Sequence, residues 1–515
     1  MMLRNIGSNW VLILVTIGAT YFLTPFIIGT LGQEGYGTWT LITSMTGYIS
    51  LMALGVPMAC VRYLAQDVAE GDARKMSQTI GSCAGLYLLI GMVAIMIGAV
   101  LMVLFDHYEI PATFETEALV AFGLMVLNVS AGFIGFLPEG ILFAHHDFVP
   151  RNLVRIAGIL LRLGLTIGLL TLTASLVTLA AVQIACLAFD FSVTLFLIRR
   201  RYPEVHISLA DFDFGMVRRI FSFSVYVLLL TAGARLSFET DALVIGALMG
   251  VGSIPFYVVA NSLIVYVMDF VIAIAAVVSP MATKLATEGK ADELREMFLK
   301  WSKVALSLTL MVGLFLIVFG PTFIGWWIDP SYEHPSGQVL QILMVSSFVF
   351  LPIRGVALPL LMGLGKPKTP AIASLAAGLL NLGLSVLLIR PFGLLGVAVG
   401  TAIPNVLFAA LVLVVACRAL DLTVADYVKY VVPRAALGAL PIVALLLWFR
   451  LGLHVQSFPG LMAAGSVMVL LFGITWIFFV YRRDPYVDLR PHLGWLRVWN
   501  KAGGTGFKTM REEAP

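Results

Sequence analysis

"IGTLGQEGYGTW" (residues 28–39) returns, loosened, as "IGALMGVGSIPFY" (residues 245–257). Three further pairs keep nearly the same offset of 217 residues. "AEGDARKMSQ" (69–78) parallels "TEGKADELRE" (287–296), "FLPEGILFAHHDFVPR" (136–151) parallels "FLPIRGVALPLLMGLGKPK" (350–368), and "LLRLGLTIGLL" (160–170) parallels "LLNLGLSVLLI" (379–389). Four weak matches in one order at one offset predict a duplicated chain. Each half has room for six membrane helices, so the repeats run parallel, about an axis along the membrane normal. Transporters are commonly built this way, with the site at the repeat interface near the midplane.

Composition agrees. The 515 residues are 60% hydrophobic and 12% charged, with mean hydropathy +0.97, whereas soluble chains average about 25% charged. Apolar stretches long enough to cross about 30 Å of hydrocarbon fall at 8–30, 38–61, 78–105, 118–143, 153–173, 176–198, 221–249, 254–281, 304–326, 338–362, 370–390, 394–417, 432–452 and 459–481. The first exceeds a signal h-region and has no small-residue cleavage site, so it reads as a membrane helix. The expected fold is an all-α polytopic membrane protein of about 14 helices. It divides into an N-terminal six-helix lobe (1–200), a pseudo-symmetric second lobe (201–417), an extra helix pair (418–481) and a tail (482–515). With the N-terminus in the cytoplasm, 28 of the 33 Lys and Arg fall on the cytoplasmic side, as the positive-inside rule requires. That places both termini in the cytoplasm. The basic tail, with Trp495 and Trp499, is expected to lie on the anionic inner leaflet.

The net charge of +4 gives no reason to expect a nucleic-acid partner. Cys60, Cys83, Cys186 and Cys417 all sit in apolar runs, so no disulfide framework or metal cluster is expected. No HExxH, Ser/His/Asp or Cys/His grouping occurs, and no outer loop is large enough for a ligase or polymerase site, so an enzyme is not expected. Pro25, Pro138, Pro352, Pro404 and several others interrupt apolar runs and predict kinks.

The ionisable residues inside helices carry the functional argument. Arg235, Glu239 and Asp241 lie within one apolar run, Tyr226–Gly250. Such groups cost about 2.5–3.5 kcal/mol each in hydrocarbon on insertion scales. They therefore face a partner or a wet chamber. Arg162, Arg235 and Arg354 fall on helices 5, 7 and 10, and Arg62 ends helix 2. Arginine's planar fork suits phosphate oxygens, which makes these four candidate substrate-binding residues. Arg235 and Glu239 stand at i and i+4, so a pairing on one helix is the other reading for Arg235. Asp190, Asp269 and Glu139 are candidate acids to neutralise an arginine or carry a proton, and Asp190, Asp269 and Glu239 are candidates for ion coupling. Glu139 and Arg354 fall at neighbouring positions of the aligned FLP segments and form a candidate gate pair.

The opening "NWVLILVTIGATYFLTPFIIGTLGQEGYGTW", the segment "LGVPMACVRYLAQ" and "FDFGMVRRIFSFS" before helix 7 resemble the Wzx-type polysaccharide flippases. These belong to the superfamily that also holds MATE exporters and lipid II flippases. The resemblance covers nearly the whole chain, through loose patterns of Gly, Pro and aromatic residues. It implies two six-helix lobes forming a V that opens alternately to either side of a bacterial inner membrane. The substrate would be an anionic oligosaccharide on a polyprenyl pyrophosphate, handled beside membrane lipids and other polysaccharide-assembly proteins. A MATE-like, cation-coupled antiporter of small organic molecules is the alternative, but it would want acids in the chamber rather than arginines. No cofactor is expected beyond a coupling Na⁺ or H⁺. In the repeat, Arg162 aligns with Asn381 and Thr166 with Ser385. Lipid II flippases place an Asp on helix 7, Asn and Asp on helix 11, and a carbonyl and Thr on helix 12. Asp241, Asn381, Val397 and Thr401 match that pattern, with Na⁺ expected at Asp241, Asn381 and Thr401. Ser385 departs from it, which removes one ligand charge. The other reading of Asn381 and Ser385 is hydrogen bonding between packed helices. Helices 13 and 14 resemble a groove for the lipid tail; a peripheral stabilising pair is the alternative.

Overall fold

The computed structural model describes residues 2–487, apart from Leu54, Leu104, Asp106, His107, Glu109 and Arg483. The tail with Trp495 and Trp499 lies outside the described residues. Fourteen helices succeed one another, and no strand occurs among the described residues. We number them α1 (2–31), α2 (33–70, stepped at Leu51–Ala53), α3 (Ala73–Met102), α4 (Glu115–Ala144), α5 (Phe148–Leu170) and α6 (Leu176–Arg201). The second half holds α7 (Phe214–Phe238 and Thr240–Met249), α8 (Ile254–Ile272 and Ala275–Thr287), α9 (Ala291–Trp327), α10 (333–363), α11 (368–392) and α12 (394–419). The last pair is α13 (424–452) and α14 (458–480). Eleven stretches are long and apolar enough to cross a membrane, and two of these helical runs divide at Gly32 and Gly393.

The duplication is visible in the backbone. Gly32 (φ 73) and Gly250 (φ 82), Gly71 (φ 70) and Gly289 (φ 69), and His146 (φ 58) and Gly365 (φ 68) all occupy the left-handed region. Each pair is separated by 218 or 219 residues. Turns that need positive φ therefore fall at equivalent places in the two halves.

Some expected boundaries move. The interval 282–303 reads as a loop in the sequence, but α8 continues to Thr287 and α9 starts at Ala291. Polar, amphipathic turns carry these helices past their apolar cores, where a hydropathy argument stops. Lys303 is consequently buried in α9.

Helix α2 forms a seam with α7 and with the turn that follows it, Val251–Ser253. Gln33 Nε2 donates to the Gly252 carbonyl (2.6 Å), Tyr48 meets Thr240 through their hydroxyls, and Tyr63 Oη reaches the Arg219 carbonyl (3.4 Å). As numbering rises along α2 it falls along its partner, so the two run antiparallel. Gly37 and Gly47 make room: an added Cβ would overlap the Val251 carbonyl and the Glu239 carboxylate.

Prolines leave carbonyls that neighbours satisfy, as a buried backbone demands. Pro321 cannot donate to Ile317, and Gln341 Nε2 of α10 does so at 2.8 Å. Arg450 of α13 bonds the adjacent Val318 carbonyl at 2.6 Å. The same helix holds the extra pair at both ends. Trp326 stacks on Phe458 (3.7 Å), and Lys303 pairs with Asp484 just beyond α14.

Candidate functional site

The middle of the second half holds a buried oxygen cluster. α7 breaks at Glu239 (φ −113) and restarts at Thr240. Asp241 therefore lies in a helical first turn, where the dipole favours a carboxylate. Its Oδ2 accepts from Tyr257 Oη of α8 (2.6 Å) and Thr401 Oγ1 of α12 (2.8 Å). Its Oδ1 accepts from Ser385 Oγ of α11 (3.4 Å). Asn381 Nδ2 donates to Thr401 Oγ1 (2.8 Å), and that hydroxyl also lies 3.2 Å from the Val397 carbonyl. Thr401 has one proton, and the shorter contact to a charged acceptor takes it. Asn381 Oδ1 is buried without a partner. α11 and α12 can approach this closely because a Cβ on Gly400 would sit 2.7 Å from Ser385 Oγ.

Asp241, Asn381, Ser385, Val397 and Thr401 are thus brought together. Tyr257 joins them and was not anticipated. Nothing in its apolar surroundings marks a tyrosine as a site residue, and 16 residues of sequence separate it from Asp241. The donor set is all oxygen with one formal charge and a spare amide acceptor, which fits a hard monovalent cation.

The arginines disperse. Arg235 is tied to Glu239 on its own helix, the pairing that the i, i+4 spacing allows. Arg62 is exposed near the end of α2. Arg354 lies in a π-helical turn, Ile353–Ala357, between the rings of Phe238 and Phe350, 5.5 Å from each centroid. Its Nε is buried without a partner, in a small pocket with Ser237, Ser374 and Asn405. Asp269 of α8, itself exposed, is its electrostatic neighbour. Glu139 does not meet Arg354 in this structure; it lies between Arg151 and Arg155. Asp190 packs against Gly158 of α5.

Arg162 lies exposed on α5. Leu153 (59% exposed) and Leu160 (53%) form one outward column on α5. Arg155 and Arg162 form a second exposed column, two residues on and therefore about 200° round the helix. Val154 is buried between the two columns, and Gly158 and Thr166 are buried along the arginine column itself. Ionisable side chains in membrane helices turn to a partner or a wet cavity, and the apolar column opposite is the one suited to lipid. Arg162 makes no ion pair or hydrogen bond among the described residues.

A family model described as "Polysaccharide biosynthesis protein" matches residues 2–286. An uncharacterized membrane protein of Bacillus subtilis, EpsK, is 21% identical over 487 residues, covering 91% of this chain and 94% of its own. A protein described as a candidate O-antigen transporter of Shigella flexneri is 21% identical over 395 residues, covering 75% and 90%. The solved lipid II flippase MurJ, in an inward closed conformation, superposes with TM-score 0.71 over 94% of this chain and 99% of its own, at 14% identity.

Proposed function

This chain belongs to the polysaccharide biosynthesis protein family, and from that premise we propose that it flips an oligosaccharide linked to polyprenyl pyrophosphate across the membrane by alternating access. The observation that carries the reading is Arg162: a guanidinium exposed on the face of α5 opposite its apolar leucine column, in no ion pair among the described residues. Arginine binds phosphate oxygens through a planar fork and stays charged away from bulk water. The name of the Shigella relative supports a polysaccharide cargo, and the MurJ superposition supports a fold able to move one.

In this reading residues 1–200 and 201–417 are two lobes that rock about the α2–α7 seam. Residues 418–481 ride on the second lobe, and residues 482–515 form a cytoplasmic tail. Arg162, Arg354 and Arg62 contact the pyrophosphate, whereas Arg235 steadies the α7 break through Glu239. Asp241, Asn381, Ser385, Val397 and Thr401 hold the coupling ion, Na⁺ or H⁺, with Tyr257 orienting the carboxylate. Asp190, Asp269 and Glu139 balance the remaining arginines. Both termini face the cytoplasm of a bacterial inner membrane, and the chain works beside other polysaccharide-assembly proteins.

The test is reconstitution in proteoliposomes with a fluorescent polyprenyl-pyrophosphate glycan, with and without Na⁺ and pH gradients. Flipping that is abolished by Arg162→Gln supports the reading. Full flipping by that variant, or no flipping by the wild-type chain under any gradient, rejects it.

A further inference from the structure

Glu139 divides its carboxylate between two arginines. Oε2 lies 3.5 Å from Arg151 Nη2, and Oε1 lies 3.5 Å from Arg155 Nε. Both contacts sit at the outer limit of hydrogen bonding. Neither arginine receives the bidentate, two-oxygen grip that makes such pairs strong. Arg151 Nε remains buried with no partner, and Arg155 is 48% exposed.

These arginines share a column with Arg162. Residues 151, 155, 158, 162 and 166 recur at helical spacing along one face of α5. Arg155 is about 6 Å along the axis from Arg151, and Arg162 about 10 Å farther. Gly158 fills the intervening position, with the Asp190 carboxylate packed against it and its Oδ1 buried without a hydrogen bond. The column begins at the face bearing the His145–Asp147 turn, where the chain concentrates its Lys and Arg. Its outer two arginines share the weakly held Glu139 carboxylate, with Asp190 a further electrostatic neighbour of Arg155, and its innermost makes no ion pair among the described residues.

We propose that Glu139 is an internal stand-in for the substrate's phosphate: it occupies Arg151 and Arg155 in the resting protein and is displaced by an arriving diphosphate, which then passes along α5 to Arg162. This rests on the flippase reading above. The chemistry sets a threshold. A singly charged carboxylate held by one oxygen per arginine yields to a multiply charged diphosphate that offers each fork two oxygens. Small singly charged anions lack that advantage and are kept out, which is discrimination by competition rather than by fit. Glu139 is a positioning residue here, because its effect passes through the two arginines.

The test uses the full-length purified protein, titrated calorimetrically with inorganic pyrophosphate and with inorganic phosphate. Glu139→Gln is expected to bind pyrophosphate about tenfold more tightly, the scale of releasing two partly exposed ion pairs. It should also lose preference for pyrophosphate over phosphate. Adding Arg155→Gln to that variant should cancel the gain. In proteoliposomes Glu139→Gln should lower KM and maximal flipping rate together, because release slows; a merely structural role would not produce that split. Glu139→Asp, whose shorter arm retreats from both arginines, should show a smaller gain and serves if the glutamine variant does not fold. Unchanged or weakened pyrophosphate binding in a folded Glu139 variant, alongside binding by the wild-type chain, overturns this proposal alone. Absence of pyrophosphate binding in wild type and variants alike overturns it together with the flippase reading.

Discussion

The indole Nε1 of Trp327, at the end of α9, donates to the backbone carbonyl of Tyr21 in α1 at 3.0 Å. Pro25 explains why that carbonyl is free: four residues on, it has no N–H to offer. The Trp327 ring also stacks on Tyr21 at 5.2 Å, nearly parallel, and Phe323 extends the stack. The contact ties the first half to the second on the face opposite the lysine- and arginine-rich one.

Trp327→Phe keeps the stack and leaves the Tyr21 carbonyl unpaired. The loss is about 1 kcal/mol, which should shift the balance toward separation of α1 and α9 by about fivefold. Spin labels on α1 and α9 would report it as a longer-distance population. An unchanged distance distribution means the bond does not govern opening.

Replacing Arg162 by Lys separates charge from fork geometry. Lysine retains the charge but loses the bidentate grip, so flipping should fall about tenfold while the melting temperature holds. Equal activity in the lysine variant would assign Arg162 a purely electrostatic role.

The Asp241 cluster makes a prediction about salt. If a monovalent cation binds there, NaCl should raise the melting temperature of the wild-type protein above its value in choline chloride, because ligands that bind only the folded state stabilise it. Asp241→Asn should erase the difference. Tyr257→Phe removes one donor to a buried carboxylate and should cost about 1–3 kcal/mol of stability. A Na⁺-dependent shift that survives in Asp241→Asn would move the cation elsewhere.

Lys303 and Asp484 form a fully enclosed pair, with side chains 1% and 0% exposed. Tyr430 Oη, at 2.6 Å, and the amides of Tyr486 and Val487 also donate to Asp484. Burial alone would raise the Asp484 pKa, but Lys303, Tyr430 and the Tyr486 amide hold it below the ordinary carboxylate range. Its contribution is therefore present above the unfolded value near 3.9 and fades as pH falls through the lower folded value. Lys303→Met should destabilise by about 3–5 kcal/mol, because it strands a buried charge, while Lys303→Met with Asp484→Leu should recover most of that loss. Denaturation of the single and double variants would check the order.

Helix number and duplication are legible because each leaves a periodic or aligned trace along the chain, whereas the meeting of Asp241 with Asn381 and Thr401 is legible only through the resemblance to lipid II flippases. Tyr257 left none, since a tyrosine in an apolar helix reads as packing until its hydroxyl finds an acceptor. Alignment of the halves pairs Glu139 with Arg354, yet Arg151, twelve residues on, lies nearer in space; alignment between halves compares equivalent places and does not report neighbours. Lys303 falls in a stretch whose charge suggests water, and its partner Asp484 lies 181 residues away. Hydropathy has no means to see such a distant compensation.

The connection between the halves is itself docked. Ser82 of α3 holds Asp213 through both its amide (2.9 Å) and its carbonyl (3.2 Å), and Gly81 and Gly85 let Ser208, Asp211 and Phe212 lie against the same helix. Covalent continuity between residues 203 and 207 then adds little to what non-covalent contacts already supply. Two polypeptides co-expressed as residues 1–204 and 205–515 should find one another in the bilayer and restore a working whole.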